Sequence, residues 1–159
     1  MILKVIGSAM IMIAALVMSK EYKAFITARV ERLSGYLELL SHIERVIGVS
    51  MTPQHRICEG FSHPALEEKF LPGLRESGEL FAAYGEMGIG VSDAAHKILS
   101  AYFADFGRCD RAGELTKARE AKANLQPILA EERQEAEKRI KLFETVAAAI
   151  ALGLIIFLI

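Results

Sequence analysis

The sequence predicts an all-α protein in which a helical bundle lies between an N-terminal and a C-terminal transmembrane helix. Three observations lead to this prediction. Residues 5–19 and residues 145–159 contain no charged side chain. Between these runs, apolar residues recur at spacings of three and four, which is typical of amphipathic helices. No stretch alternates apolar and polar residues between turn signals, so we predict no sheet.

Length and charge narrow the class of protein. The chain has 159 residues, which suits one domain, and a net charge of -1 with a pI near 6.4. A nucleic-acid binder would normally carry a basic excess, so that class is disfavoured. Hydrophobic residues make up 52% of the chain and gather mainly at its two ends. The ends are therefore where membrane contact is expected.

The first apolar segment, residues 1–19, is predicted to be a transmembrane helix. Its uncharged run reaches about 23 Å, short of the ~30 Å hydrocarbon core, so Ile2 and Leu3 must lengthen it while Lys4 extends to the interface. The alternative is a cleavable signal peptide. No convincing small-x-small cleavage site precedes the charged residues that follow, which favours a retained helix.

The last apolar segment, residues 145–159, is the second predicted transmembrane helix, lengthened by Leu142 and Phe143. The alternative is a buried core helix. A core helix is seldom uncharged on every face, and this segment also ends the chain, so we favour the membrane.

Basic residues beside both segments predict the topology. They are Lys20, Lys23, Arg29 and Arg32 after the first segment, and Arg133, Lys138, Arg139 and Lys141 before the second. Such residues tend to stay in the cytoplasm, so residues 20–144 should form a cytoplasmic all-helical domain. In that reducing compartment, Cys58 and Cys109 are expected to be free thiols.

The first helix of this domain should continue from the membrane segment and end near Gly48. Its apolar stripe comprises Tyr22, Ile26, Val30, Leu33, Leu37, Leu40, Ile43 and Ile47. A second helix is expected after Thr52 as N-cap, with Pro53 at its first position.

Prolines and glycines punctuate the middle of the chain. A short helix should begin at Pro64 and end close to Leu71, because Pro72 and Gly73 follow. The glycines at positions 78, 85, 88 and 90 invite a phosphate-loop interpretation. The Gly-Lys-Ser/Thr sequence and preceding strand of such a loop are missing, so we interpret them as helix ends and a loop.

Two further helices complete the domain. Ser92 should cap a helix that ends at Gly107, with an apolar stripe of Ala95, Ile98, Leu99, Tyr102, Phe103 and Phe106. Asp110 should cap the last helix, which Pro127 either kinks or breaks before it enters the membrane. The first and last helices should pair antiparallel, because both return to one membrane.

The sequence predicts no catalytic, cofactor-binding or metal-binding residue. His55 and Cys58 are three residues apart, but a pair of ligands without a partner pair is a weak metal signal, and a surface histidine with a small buried cysteine is favoured. His42, Glu44 and Arg45 are interpreted as a solvated helix flank. We therefore expect a protein that is not an enzyme.

The order of several short motifs resembles the stage III sporulation protein AB family of endospore-forming bacteria. The motifs are Thr52-Pro53, Phe106-Gly107 followed by Asp110-Arg111, and residues 138–142 (KRIKL) before the apolar end. The resemblance spans the chain in order. The sequence departs from the family pattern at Gln54, where a leucine is usual, and between Phe106-Gly107 and Asp110-Arg111, where Leu-Gly is usual and the loop before the last helix is shortened; Pro127 is also unusual.

The resemblance implies a part in the channel between mother cell and forespore. That family is similar to the inner-membrane platform protein of type II secretion and type IV pilus machines, whose helical domain sits above a secretion-type ATPase. The implied partners are an ATPase like stage III sporulation protein AA, other stage III sporulation membrane proteins, the lipid bilayer and further copies of the chain. The implied location is the outer forespore membrane, with the helical domain on the mother-cell side. No catalytic residue transfers.

Two other functions remain as alternatives. One is a membrane-anchored regulatory adaptor unrelated to secretion; the other is a secreted protein with a cleaved leader and a C-terminal anchor. Adjacent genes for an ATPase and several small membrane proteins would favour the secretion platform. Recovery of residues 1–20 in the mature protein would exclude the cleaved leader.

Overall fold

All regular secondary structure is helical in the residues that the structure, a computed structural model, describes: 2–49, 54–57, 59–85 and 90–158. In chain order the helices are α1 (Ile2–Val49), α2 (Gln54–Ile57), α3 (Pro64–Glu67), α4 (Phe70–Ser77), α5 (Leu80–Gly85), α6 (Asp93–Asp105) and α7 (Arg111–Leu158). This confirms the predicted all-α class. The predicted cap Thr52 with Pro53, and also Cys58 and Gly88, lie outside the described residues.

The chain divides into two compact units. The terminal unit comprises Met1–Ala28 and Arg133–Ile159, and the central unit comprises Arg29–Glu132. Helices α1 and α7 each contribute to both units, because each is 48 residues long. The predicted continuation of each apolar end into a long helix is therefore confirmed.

The core of the central unit is built on one side of α1. Of the predicted stripe, Leu33, Leu37, Leu40, Ile43 and Ile47 are buried, and Val30 packs against the core from its edge. Tyr36 and Leu39 are buried as well. Leu39 and Leu40 are adjacent and point about 100° apart on a helix, so α1 is covered over a broader arc than the predicted stripe.

Within the central unit, α1 and α7 run antiparallel. Arg29 lies 3.7 Å from Glu132, and further along α1, Glu44 accepts a hydrogen bond from Arg119 at 2.7 Å. At the end of α1, Arg111 donates to the carbonyl of Gly48. Positions on α7 fall as positions on α1 rise, which confirms the predicted antiparallel pairing.

The helix that we predicted to end near Leu71 is two short helices. The first, α3, begins at Pro64 as predicted, and Nδ1 of its N-cap His63 accepts the N–H of Ala65 at 3.3 Å. A turn follows, and α4 then runs through Pro72 and Gly73 to Ser77. The predicted stop is wrong.

Pro72 is tolerated in α4 because it is the third residue of that helix. The first four N–H groups of a helix have no intrahelical partner, so the missing N–H of Pro72 removes no hydrogen bond. The helix ends where Gly78 adopts the left-handed conformation, with φ of 71°, and its N–H bonds to the carbonyl of Leu74 at 2.8 Å. The prediction that Gly78 lies at a helix end is therefore confirmed.

Helices α5 and α6 close the core with aromatic rings. α5 was not predicted and buries Leu80, Ala83 and Tyr84. The ring centroid of Tyr36 lies 5.3 Å from that of Phe70 and 5.4 Å from that of Tyr84, both edge to face. Burial raises the pKa of Tyr84 to about 12.

The predicted stripe of α6 is confirmed, with Ile98 partly buried and the other positions buried. The helix ends at Asp105, two residues before the predicted Gly107, and Gly107 turns the chain with φ of 84°. α7 then begins after Asp110, whose Oδ1 accepts the N–H of Gly113 at 3.0 Å, so the predicted cap is confirmed.

α7 continues through Pro127 without a break. Of the two predicted outcomes, the break is wrong. Pro127 is exposed, so the carbonyl of Ala123, which loses its helical donor, can bond to water instead. Leu125 and Leu129, on either side of Pro127, are buried in the core and hold the helix against it.

Candidate functional site

The terminal unit exposes apolar side chains around both of its helical segments. The large hydrophobic residues that are about half exposed or more are Met10, Met12, Ile13, Leu16, Val17, Met18 and Phe25 in α1, and Leu142, Val146, Ile150, Leu152, Leu154 and Ile156 in α7. Leu16, Val17 and Met18 are consecutive and therefore point in three directions 100° apart. This surface is apolar on several faces, unlike the single stripe of a helix that borders a soluble core.

The two segments contact each other within this unit. The rings of Tyr22 and Phe143 stack with centroids 4.2 Å apart. Ala136 and Ala151 of α7 are buried in the same unit, where their small side chains allow close approach of a neighbouring backbone. The two helical segments of the terminal unit are therefore in contact at the Tyr22–Phe143 stack.

In the described part of the chain, no helix meets the combined requirements of length and apolar character for crossing a membrane. Several side chains of the apolar runs lie outside the description, at positions 2–6, 8, 9, 11, 155, 157 and 158. The transmembrane helices at residues 1–19 and 145–159 stay a prediction.

Four lysines, which we call the lysine belt, surround the paired segments near the Tyr22–Phe143 contact. They are Lys20, Lys23, Lys138 and Lys141, and all are exposed. None of them forms an ion pair with a residue that the structure describes. By contrast, the nearby Arg139 is paired with Glu135 on its own helix at 3.3 Å.

The corner between α6 and α7, residues 106–110, is fastened by a buried carboxylate. Oε1 of Glu114 accepts the N–H of Gly107 at 3.0 Å and the N–H of Cys109 at 3.1 Å. Glu114 is 3% exposed, and its Oε2 has no hydrogen-bond partner among the described residues. Phe106 is buried beneath the corner, and Arg111 ties the start of α7 to the end of α1.

A groove of about 420 Å³ with both charged and apolar walls lies beside this corner, between α6 and α7. Asp105 and Lys117 form a close ion pair in it. The hydrogen bond from Lys117 holds the pKa of Asp105 below its usual value, and the hydrogen bonds of Lys117 to Asp105 and Cys109 raise the pKa of the lysine. The groove also has Lys97, Glu120 and Asn124 on its walls. The groove therefore has two cations and two carboxylates, and the ammonium of Lys117 is already paired with Asp105.

The predicted polar residues are placed as follows. The side chains of His55 and Cys58 are not described, so their pairing stays untested. Cys109 is a half-buried free thiol, as expected. No group of three or more potential metal ligands occurs among the described residues. The expected absence of catalytic, cofactor and metal sites stays a prediction.

The interpretation of His42, Glu44 and Arg45 as a solvated flank is wrong for the first two. Nε2 of His42 donates to the carbonyl of Ile57 at 2.9 Å, and the ring is half-buried. Glu44 binds Arg119 and also Lys122, at 3.2 Å. These partners are distant in sequence, so the local pattern could not show them.

Sequence reasoning missed Glu114, Lys122 and the pairing of Asp105 with Lys117. A signal for Glu114 was available, because an acid in the first turn after a cap residue often bonds to free N–H groups before the helix. Its actual donors, at Gly107 and Cys109, belong to the corner rather than to the cap, and this choice depends on the fold of residues 106–110.

Comparison of the chain with protein-family models, with curated proteins and with solved structures finds no match.

Proposed function

We propose that this chain is a non-enzymatic membrane platform of a sporulation channel between mother cell and forespore, coupling a cytoplasmic secretion-type ATPase to membrane subunits. Its transmembrane helices are residues 1–19 and 145–159. The domain between them, residues 20–144, lies in the cytoplasm on the mother-cell side of the outer forespore membrane. Its other partners are stage III sporulation membrane proteins and further copies of the chain.

The observation that carries the membrane part is the exposed apolar surface of the terminal unit. A fully exposed Leu, Ile or Met forfeits about 1.5–3 kcal/mol relative to burial. Twelve large hydrophobic side chains in residues 10–18 and 142–156 are exposed by 47% or more. At this partial exposure, their transfer from water into a bilayer is favourable by on the order of 10 kcal/mol. A lipid environment removes this penalty.

The hairpin arrangement has separate support. The two apolar segments belong to one unit, and the Tyr22–Phe143 stack joins them. The lysine belt follows the first segment and precedes the second, so in sequence it borders residues 24–137 on both sides. Basic residues beside a membrane segment favour the cytoplasmic side, which supports a cytoplasmic location for the residues between.

The platform role rests on the family resemblance, and the residues of its central motif have structural roles here. Phe106 packs in the core, Gly107 turns the chain and Asp110 caps α7. Arg111 reaches the last turn of α1. These residues form the corner that places α7 beside α1. Their order in the sequence is therefore explained by this fold.

The membrane part is tested by fusing a reporter after Ile159 and, separately, after Gly60 in the full chain. We expect the Gly60 fusion to be active only in the cytoplasm and the Ile159 fusion to be active only on the other side. Cytoplasmic activity of both fusions, with a protein that alkaline carbonate extracts, would refute the hairpin.

The platform part is tested with the full chain in detergent micelles and a purified hexameric secretion-type ATPase of a spore former. We expect the chain to co-elute with the ATPase. A different helical-hairpin membrane protein of similar size serves as the control and should not co-elute with the ATPase. If the chain spans the membrane but does not bind the ATPase while both remain folded, the regulatory adaptor replaces the platform.

A further inference from the structure

We propose that the lysine belt of the terminal unit binds the anionic headgroups of the membrane in which the chain is embedded. The proposal rests on the proposed membrane function and adds the class of lipid. The partner is the phosphate layer of a bilayer that contains an anionic phospholipid such as phosphatidylglycerol.

The Tyr22–Phe143 stack places the four lysines within about 10 Å of one another along the helix axes. The stack fixes where the antiparallel segments are side by side, and each residue advances a helix by 1.5 Å. Lys20 and Lys23 then lie within a few ångströms of that level. Lys141 and Lys138 follow on the other helix, so the belt is about 10 Å deep. The headgroup region of one leaflet is roughly 5–8 Å thick, and the long lysine side chains can extend over the remaining few ångströms.

The lysines also point away from the contact between the helices. At 100° per residue, Lys23 and Lys20 lie about 100° and 160° around α1 from Tyr22. Lys138 and Lys141 lie about 140° and 160° around α7 from Phe143. Each ammonium therefore faces outward, where lipid would be.

Charge distinguishes the two units. The ranges of the terminal unit contain seven Lys or Arg and four Asp or Glu, whereas those of the central unit contain twelve and sixteen. An anionic surface therefore attracts the terminal unit and repels the central one.

Carboxylates are also present at the level of the belt. Glu21, Glu137 and Glu144 are exposed there. A lysine carries its ammonium on four methylene groups and can extend along the helix to the phosphates, whereas a glutamate is shorter and stays near its own helix. The lysines can thus bind headgroups while the carboxylates remain in water.

The test uses the full chain purified in detergent and its partition into vesicles of phosphatidylcholine alone or with 30% phosphatidylglycerol. A lysine near an anionic surface strengthens binding by roughly fivefold. We expect at least a tenfold preference for the anionic vesicles in 0.1 M salt and a much smaller one in 0.5 M salt, because salt screens these charges.

Two quadruple variants distinguish an effect of the lysine belt from an effect of net charge. The first replaces Lys20, Lys23, Lys138 and Lys141 by Gln, and should lose the preference while retaining helical circular dichroism. The control replaces Arg45, Arg56, Lys69 and Lys97, which are exposed in the central unit, and should retain it.

The outcomes distinguish this proposal from the proposed function. Equal partition of the wild type into both vesicles overturns the lipid preference and leaves the membrane role standing. Equal losses in both variants also overturn it, since the effect then follows net charge. Failure to enter either vesicle refutes both proposals.

Discussion

Replacing Glu114 by Ala should destabilise the central unit, because it removes the acceptor of two N–H groups at the corner between α6 and α7. Oε1 of Glu114 lies 3.0 Å from the nitrogen of Gly107 and 3.1 Å from that of Cys109. A hydrogen bond to a charged group contributes about 1.5–3 kcal/mol. Gly107 is exposed and Cys109 half-buried, so water partly replaces the lost acceptor. We expect a loss of about 2–3 kcal/mol.

Thermal unfolding of the full chain in detergent, followed by circular dichroism, measures this loss. For a unit of about a hundred residues, 1 kcal/mol corresponds to about 4–8 °C in Tm, so a fall of about 10 °C or more is expected. Glu114→Gln keeps an acceptor at the same place and should recover much of the loss.

Glu120→Ala is the matched control, because it makes the same change in the same helix at an exposed position. It should change stability by less than about 0.5 kcal/mol. If Glu114→Ala unfolds at the same temperature as Glu120→Ala, the carboxylate does not fasten the corner and the reasoning fails.

Three further predictions concern the central unit. Leu40→Asp buries an unpaired charge at a position that is 0% exposed, and should cost several kcal/mol in denaturant unfolding; a fully folded variant would show that this side of α1 faces a partner. Hydrogen bonds from Arg119 and Lys122 lower the pKa of Glu44, so its stabilisation is present above its ordinary pKa of 4.5 and is lost as pH falls through the lower folded value. Glu44→Gln should remove that part of the acid dependence of Tm, and an unchanged profile would contradict the pairing. Pro127→Ala restores a helical hydrogen bond and should stabilise α7 by up to about 3 kcal/mol, whereas a loss would show that the surrounding helix is adapted to proline.

The sequence predicted the long helices and their core residues well, because the spacing of the apolar residues indicates both. The stripe from Leu33 to Ile47 has helical spacing, and its buried members form the core as expected. Asp110 and Gly78 marked helix ends through local side-chain and backbone preferences. α1 ends close to Gly48 as predicted, but Gly48 is itself helical and the helix continues to Val49. Such features need no knowledge of the partner elements.

The helix end predicted before Pro72 and the break predicted as one outcome at Pro127 were wrong, because the rule that proline ends a helix depends on where the proline lies within that helix. Pro72 ends a helix only if a preceding turn requires its N–H, and α4 begins two residues before it. Pro127 lies far inside α7, yet the core contacts of Leu125 and Leu129 outweigh the missing hydrogen bond. The position of a proline relative to a helix start depends on where the chain turns, and here Glu68 and Lys69 form that turn.

The candidate site was predictable in its composition but not in its geometry. The uncharged ends and the four lysines are visible in the sequence. The contact between Tyr22 and Phe143 is not, because these residues are 121 positions apart and meet only through the antiparallel register of α1 and α7. The same register sets the level of the lysine belt. Residues of the belt therefore become one surface only through a contact that no local pattern contains.

The division between structural and surface residues decides which mutations can inform on function. The motif residues Phe106, Gly107 and Asp110 are engaged in packing, a left-handed turn and a cap, so changing them alters the fold before it alters binding. Lysines of the belt are exposed and make no ion pair within the described residues, so changing them alters charge with little effect on packing. A defect caused by Lys23→Gln and Lys141→Gln would therefore report on contact with the membrane, whereas a defect caused by Asp110→Ala would first require proof that the protein still folds.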